Sequence, residues 1–283
     1  MNDMTQTACE VIAKVRSRRP LIHHITNFVV MNTTANITLC MGALPVMAHA
    51  KEEVEEMVAA ASALVLNLGT LWPEQVEAMI LAGRRANQMG IPIVLDPVGV
   101  GATQLRTRSA HRLLNELSVA IVRGNGAEIA ALAGLDAKIS GVESISSAGD
   151  ASAVASEFAK QFGCVAAVTG PVDVVTDDVR LMRVANGHPM MATVTGTGCM
   201  ATSVVAACAA VEKDSVVAAT AALAAYGLAG QIAAQRAQGP GTFQVYLYDA
   251  LAGLSDDVLK AGTRIEVYRQ RKTAAAGTKP KVV

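Results

Sequence analysis

Four short stretches hold the residue types that could do chemistry. LDPVGVGAT carries a carboxylate, Asp96, followed by Pro97 and the glycines Gly99 and Gly101. A carboxylate where a strand stops suits a hard cation such as Mg²⁺, usually through water; it suits a turn or helix cap equally well. RGNGAE offers Arg123, whose planar fork of donors matches phosphate oxygens. In the same stretch Glu128 follows Asn125 by three residues, the spacing of a capping box. VTGPVD supplies a hydroxyl and a turn at Thr169 and Gly170, able to touch a nucleotide phosphate or simply to reverse the chain. TVTGTGCMATS sets Gly196, Thr197 and Gly198 just before Cys199 and an apolar run. Successive backbone N–H groups at a helix start make an anion hole that needs no net positive charge.

Cys199 admits other readings. A helix start lowers a cysteine's pKa, and a thiol hydrolase would pair Cys199 with His23, His24 or His188 as base. A buried, inert thiol is also a frequent outcome. Neither explains why Asp96, Arg123 and Glu128 accompany it. No GxxxxGK[ST] phosphate loop occurs anywhere in the chain.

Regular elements must bring these stretches together. ALVLNL (Ala63 to Leu68), PIVLD (Pro92 to Asp96), VAIVRG (Val119 to Gly124) and CVAAVTG (Cys164 to Gly170) read as buried strands. Helical patterns follow the first three: PEQVEAMILAGRRANQMG, TRSAHRLLNELS and NGAEIAALAG. VDVVTD and VRLMRVANG read as a hairpin, and Ala-rich helices follow Gly198. Alternating strand, loop and helix predicts an α/β fold with a mostly parallel sheet covered on both faces. Ligands of such sheets bind beyond the carboxyl ends of the strands, where all four stretches lie. ISGVESISSAGD (Ile139 to Asp150) reads as a polar connecting loop, and residues 270–283 as a frayed tail.

Composition narrows the function further. The chain has 283 residues, 52% hydrophobic and 17% charged, which excludes a disordered protein. Aromatic residues are only 3%, so Ala, Val, Leu, Ile and Met must build the core. The 24 basic and 24 acidic residues cancel, which argues against nucleic acid or an anionic membrane as partner. Five scattered cysteines without a CxxC pair predict neither a disulfide framework nor a zinc site, and point to a cytoplasmic location. The N-terminus is amphipathic rather than signal-like. The apolar region Ala201 to Gly230 is broken by Glu212, Lys213 and Asp214, and neither half is expected to reach the ~18 residues of a membrane span.

Taken in order with HHITNFVVMNTTAN (His23 to Asn36) and NGHPMMATVTGTGCMATS, these motifs resemble the hydroxyethylthiazole kinases of the ribokinase-like superfamily, over roughly Ile12 to Leu254. The resemblance implies a three-layer α/β/α sandwich and one kinase domain over residues 1–269. It implies ATP- and Mg²⁺-dependent phosphorylation of the primary alcohol of 4-methyl-5-(2-hydroxyethyl)thiazole, in thiamine biosynthesis and salvage. It also implies a homotrimer with thiazole pockets at subunit interfaces. Met47 then lines the thiazole pocket, with Asn27 and Val29 beside it. Gly196 contacts substrate near the reacting hydroxyl, and the amides from Gly196 through Gly198 to Cys199 hold the transferring phosphoryl group. Arg123 and Thr169 match ATP-binding positions, and Asp96 and Glu128 match the acidic pair that organises Mg²⁺.

Cys199 follows the thiazole kinases but departs from the wider superfamily, where aspartate at this place takes the alcohol proton. An active but slow kinase is the resulting expectation. Three readings compete with it: a superfamily kinase for hydroxymethylpyrimidine or a sugar, a binding protein that has lost turnover, and the thiol hydrolase.

Overall fold

Side chains along each central strand point alternately into two separate cores, as a pleated strand covered on both faces requires. Ala63, Val65, Val94, Ile121, Val165 and Ala167 enter one core, while Leu64, Leu66, Ile93, Leu95, Val122, Ala166 and Val168 enter the other. The strands therefore lack a polar face, and their sequences read as continuous apolar runs. The computed structural model describes residues 4–135 and 148–269.

The strands are β1 (Leu21–Ile25), β2 (Leu44–Val46), β3 (Ala63–Asn67), β4 (Ile93–Asp96), β5 (Ile121–Asn125), β6 (Val165–Thr169), β7 (Asp173–Thr176), β8 (Arg180–Val184) and β9 (Ile265–Arg269). They form one sheet in the order β2-β1-β3-β4-β5-β6-β7-β8-β9. The run from β2 to β6 is parallel, and β7, β8 and β9 continue it antiparallel. The order reverses at β1, whose sequence neighbours β2 and β3 lie on opposite sides of it. Ligands of open α/β sheets bind at such a reversal.

One face is covered by α1 (Met4–Arg18), α2 (Met31–Met41), α8 (Thr197–Ala209), α9 (Ser215–Arg236), α10 (Pro240–Ala252) and α11 (Asp256–Gly262). The other is covered by α3 (Val54–Ala60), α4 (Pro73–Met89), α5 (Gln104–Glu116), α6 (Gly126–Leu132) and α7 (Ala148–Phe162). This is the expected three-layer sandwich. Short loops with recognisable stops join the layers: α4 begins with Pro73 in its first turn and ends at Gly90 in left-handed conformation.

Several expectations change. The stretch around 139–150 was expected to be a loop; residues 136–147 lie outside the described residues, but 148–150 already belong to α7. Its Gly and Asp disguise a helix whose apolar positions Ala151, Val154, Ala155 and Phe158 pack on the second core. The expected tail, 270–283, also lies outside the described residues. α9 corrects the membrane expectation: its 22 residues are long and apolar enough to span, yet most of that stretch is buried inside the fold. There it packs against α1, α8 and α10, which its many alanines and its glycines Gly227 and Gly230 allow at close range. Composition alone does not separate such a core helix from a span.

Candidate active site

The carboxyl ends of the parallel strands gather the site. Asp96 ends β4 and is 1% exposed. Its Oδ2 accepts hydrogen bonds from Asn67 Nδ2 at 2.9 Å and from Thr202 Oγ1 at 2.8 Å. Its Oδ1 is buried without a hydrogen-bond partner, 3.8 Å from Nη1 of Arg123. Burial raises the Asp96 pKa to about 6; Arg123 opposes the shift, while nearby Glu128 adds to it.

Arg123, on β5, reaches across to donate to the Thr169 hydroxyl at the end of β6. Its Nε is buried without a partner. The guanidinium lies against Gly198: a Cβ built there would stand 2.7 Å from Nη1. Any side chain at position 198 would displace Arg123, so this glycine follows from close approach rather than from helix formation. Gly196 has a different cause. It caps α8 with φ +83, a conformation that favours glycine, and a Cβ there would come within 2.8 Å of Val30. α8 starts at Thr197, so the backbone N–H groups of its first turn lie beside Arg123 and Asp96.

Cys199 sits in that first turn. Asn67 Nδ2 approaches its sulfur at 3.2 Å and Asn27 Nδ2 at 3.8 Å. The lowered pKa that the thiol-hydrolase alternative requires is not found. Burial, and then the negative charge of Asp96, push the thiol up to about 12, so it is neutral at ordinary pH. Nor do the candidate histidines stand ready as its base. His23 bonds to Ala48 O at 2.8 Å and His24 to the Thr38 hydroxyl at 3.4 Å, both fully buried in β1. His188 caps the short 3₁₀ turn Pro189–Thr193.

Glu128 makes the capping box that its spacing suggested: Asn125 Oδ1 accepts from Glu128 N, and Glu128 Oε2 accepts from Asn125 N, both at 2.9 Å. Its other oxygen accepts from Gly99 N at 2.8 Å, which ties the glycine loop after β4 to the start of α6. Each oxygen keeps a lone pair, so the cap does not exclude a cation.

Asn27 follows β1. Its Oδ1 accepts from Val29 N at 3.0 Å and its Nδ2 donates to Asn67 Oδ1 at 2.8 Å. Val29 is 61% exposed next to Phe28, whose ring stacks on Trp72 at 5.1 Å. Met47 is half-buried after the edge strand β2, on the same carboxyl edge. The structure thus joins Asp96, Arg123, Thr169, Gly198, Cys199 and Asn27 through direct contacts. Glu128 attaches through backbone groups, and Met47 and Val29 flank the cluster at the β1–β2 side.

Four contributors escaped the sequence reading. Asn67 ends an otherwise apolar β3, and the strand-end logic that selected Asp96 selects it too. Thr202 lies one turn along α8 from Gly198. Asp173 opens β7; its Oδ1 accepts from Gly170 N at 3.0 Å, and burial raises its pKa to about 7. Arg106 donates to Leu68 O at 2.9 Å and Val98 O at 2.6 Å, locking the loops after β3 and β4 together. Nothing in its helical context signals that role.

This arrangement offers an anion-accepting helix start, a guanidinium, and a buried carboxylate with a free oxygen. Comparison with known proteins gives the family. A sequence profile of the hydroxyethylthiazole kinase family matches residues 12–257. A hydroxyethylthiazole kinase of Chloroflexus aurantiacus is 56% identical over 274 residues, 97% of this chain and 99% of the relative. The solved hydroxyethylthiazole kinase structure from Pyrococcus horikoshii OT3 superposes with TM-score 0.87 at 43% identity, covering 93% of this chain and 100% of the other. A ribokinase-like superfamily protein from Enterococcus faecalis, at 14% identity and TM-score 0.62 over 83% of this chain and 88% of its own, shares the fold. The chain belongs to the hydroxyethylthiazole kinase family.

Proposed function

We propose that the protein transfers the γ-phosphoryl group of ATP to the primary alcohol of 4-methyl-5-(2-hydroxyethyl)thiazole, supplying thiamine biosynthesis and salvage. The observation that carries this reading is the pair of buried polar atoms without partners, Asp96 Oδ1 and Arg123 Nε, beside the α8 start. Buried polar atoms are ordinarily satisfied by protein or water. His23, His24 and Gln75 also leave an atom without a protein partner, but this charged pair stands together at the strand ends beside a helix start, where an anionic ligand and its cation would complete both.

Phosphoryl transfer asks the protein to align the alcohol with the phosphorus and to neutralise charge. In this reading the alcohol oxygen forms its bond to the γ-phosphorus while the bond from that phosphorus to the β-phosphate bridging oxygen breaks, leaving ADP, and the hydroxyl proton is released to water after the new bond forms. The amides of Gly196 to Cys199 and the Arg123 guanidinium hold the phosphate oxygens, with Thr169 orienting Arg123. The donor set fits a divalent cation: Asp96 Oδ1 is free, and Glu128 retains a lone pair on each oxygen. Mg²⁺ held by Asp96 and Glu128 would supply positive charge to neutralise the phosphate oxygens. Cys199, neutral, stands where the superfamily base stands. A loose transition state does not need early removal of the alcohol proton, so the thiol slows turnover without preventing it.

Asn27, Val29 and Met47 are assigned to the thiazole side. The exposed apolar side chains of Phe28 and Val29 on this flank, and of Leu39 and Val245 on the neighbouring α2 and α10, support a homotrimer with the pocket at its interface. One sheet through all the described strands supports a single kinase unit over residues 1–269. Free cysteines support the cytoplasm as its location.

ADP release with thiazole alcohol, ATP and Mg²⁺ tests the proposal. Turnover that exceeds the rate with hydroxymethylpyrimidine is the expected result. Background release with thiazole alcohol, alongside ordinary binding of both ligands, would leave a binding protein instead.

A further inference from the structure

The buried amide of Asn67 stands at the centre of the cluster, between Asn27 and Asp96. It is 1% exposed and lies at the end of β3, next to the reversal of strand order at β1. Burying an amide is unfavourable unless its donors and acceptors are all used. Here they are. Oδ1 accepts from Asn27 Nδ2 at 2.8 Å and from Gly69 N at 2.9 Å. Nδ2 donates to Asp96 Oδ2 at 2.9 Å and to Cys199 Sγ at 3.2 Å.

This pattern fixes which way the amide faces. A flipped Asn67 would turn its NH₂ group onto two donors, Asn27 Nδ2 and Gly69 N, and its oxygen onto the Asp96 carboxylate. The acceptor side therefore belongs to the thiazole flank and the donor side to the phosphoryl flank. Asn67 and Thr202 together occupy Oδ2 of Asp96, which leaves Oδ1 as the oxygen free for a ligand.

We propose that Asn67 is a positioning residue for phosphoryl transfer: its two N–H donors fix the Asp96 carboxylate and the Cys199 side chain relative to each other, while its oxygen anchors the Asn27 loop. This rests on the kinase reading above. It assigns one side chain to couple the alcohol-binding and phosphoryl-binding halves of the site.

Asn67→Asp separates the two sides of the amide. It keeps the shape and the acceptor toward Asn27 and Gly69, but replaces the donors facing Asp96 and Cys199 with a carboxylate oxygen. kcat falls at least about 10-fold, in the range typical of groups that orient a catalytic ligand. KM for the thiazole alcohol stays within about 3-fold of wild type, and so does ATP affinity measured by calorimetry without the alcohol. Asn67→Ala removes both sides, so kcat falls similarly and KM for the alcohol also rises. It serves alone if the buried charge of Asn67→Asp prevents folding. A variant that melts normally and keeps kcat within about 3-fold of wild type would overturn the proposal. So would equal changes in kcat, alcohol KM and ATP affinity, which a purely structural role predicts. The wild type runs in the same assay: its inactivity defeats the kinase reading, whereas an active wild type with unaffected variants defeats only the role of Asn67.

Discussion

Two neighbouring groups of the site, the Asn67–Asn27 amides and the Asp96–Arg123 pair, treat their buried polar atoms in opposite ways. Every amide hydrogen-bonding position of Asn67 is used, and Asn27, on the proposed thiazole flank, is held through both its oxygen and its nitrogen. On the phosphoryl flank Asp96 Oδ1 and Arg123 Nε have no partner, and Asp96 keeps a pKa raised to about 6. A satisfied network rigidifies; an unsatisfied buried charge costs stability and is retained where a ligand completes it. The amide pair thus holds shape, and the charged pair is suited to receive a charged ligand. Folding and function should respond differently to mutation on the two sides.

Asp96→Asn is expected to separate them most widely. Turnover falls by roughly 100-fold or more, the scale at which loss of one preorganised electrostatic group acts. The ligand-free melting temperature holds or rises, because a neutral amide replaces a carboxyl whose charged form burial disfavours. A melt that drops in step with activity would break the contrast. Arg123→Ala comes next: KM for ATP rises about 10-fold, as for loss of a charge-assisted contact, while KM for the thiazole alcohol changes little. Equal effects on both would remove its assignment to the nucleotide.

Asn27→Ala tests the other flank. It leaves Asn67 Oδ1 and Val29 N each short of a partner, so stability falls by about 1–3 kcal/mol and alcohol KM rises, with ATP KM unchanged. Denaturant unfolding and steady-state kinetics read the two effects. Cys199→Asp gives a smaller change, in the direction of equal or higher kcat; complete loss would mean that the thiol has a specific role of its own. Iodoacetamide gives the smallest signal. With the Cys199 pKa near 12, the thiolate fraction at pH 7.5 is minute and grows about tenfold per pH unit. Alkylation at Cys199, followed by peptide mass, is therefore slow at neutral pH and accelerates as pH rises. Rapid neutral-pH labelling would restore the thiol-enzyme reading.

Much of this was legible in the sequence, for physical reasons. Doubly covered strands such as ALVLN and VAAVT stand out as apolar runs, and polar residues at their carboxyl ends mark a parallel sheet's ligand edge. The capping box at Asn125 and Glu128 is local, so spacing alone revealed it. β1 was harder to see because LIHHI places two histidines inside a strand. Both are buried, and burial pushes the His24 pKa down to about 3, so it behaves as a neutral core residue. β2 is only three residues long, and β9 joins the sheet far from its neighbour β8 in sequence. Arg106 and Thr202 became visible only in three dimensions, since each acts on a partner brought near by folding. The raised Cys199 pKa was out of reach for the same reason: a helix start is local, but the burial and the Asp96 charge that outweigh it are tertiary.

The most direct test is the thermal shift produced by ATP with Mg²⁺ in the wild type, Asp96→Asn and Arg123→Ala. A ligand raises the melting temperature only as far as it binds the folded state. The expected result is a clear upward shift for the wild type and a shift largely lost in both variants, with Asp96→Asn melting near the wild type without ligand and Arg123→Ala lower, because Asp96 loses its ion-pair partner. Variants that melt well below the wild type yet keep its full shift would contradict it, because the unpartnered groups would then serve the fold rather than the ligand.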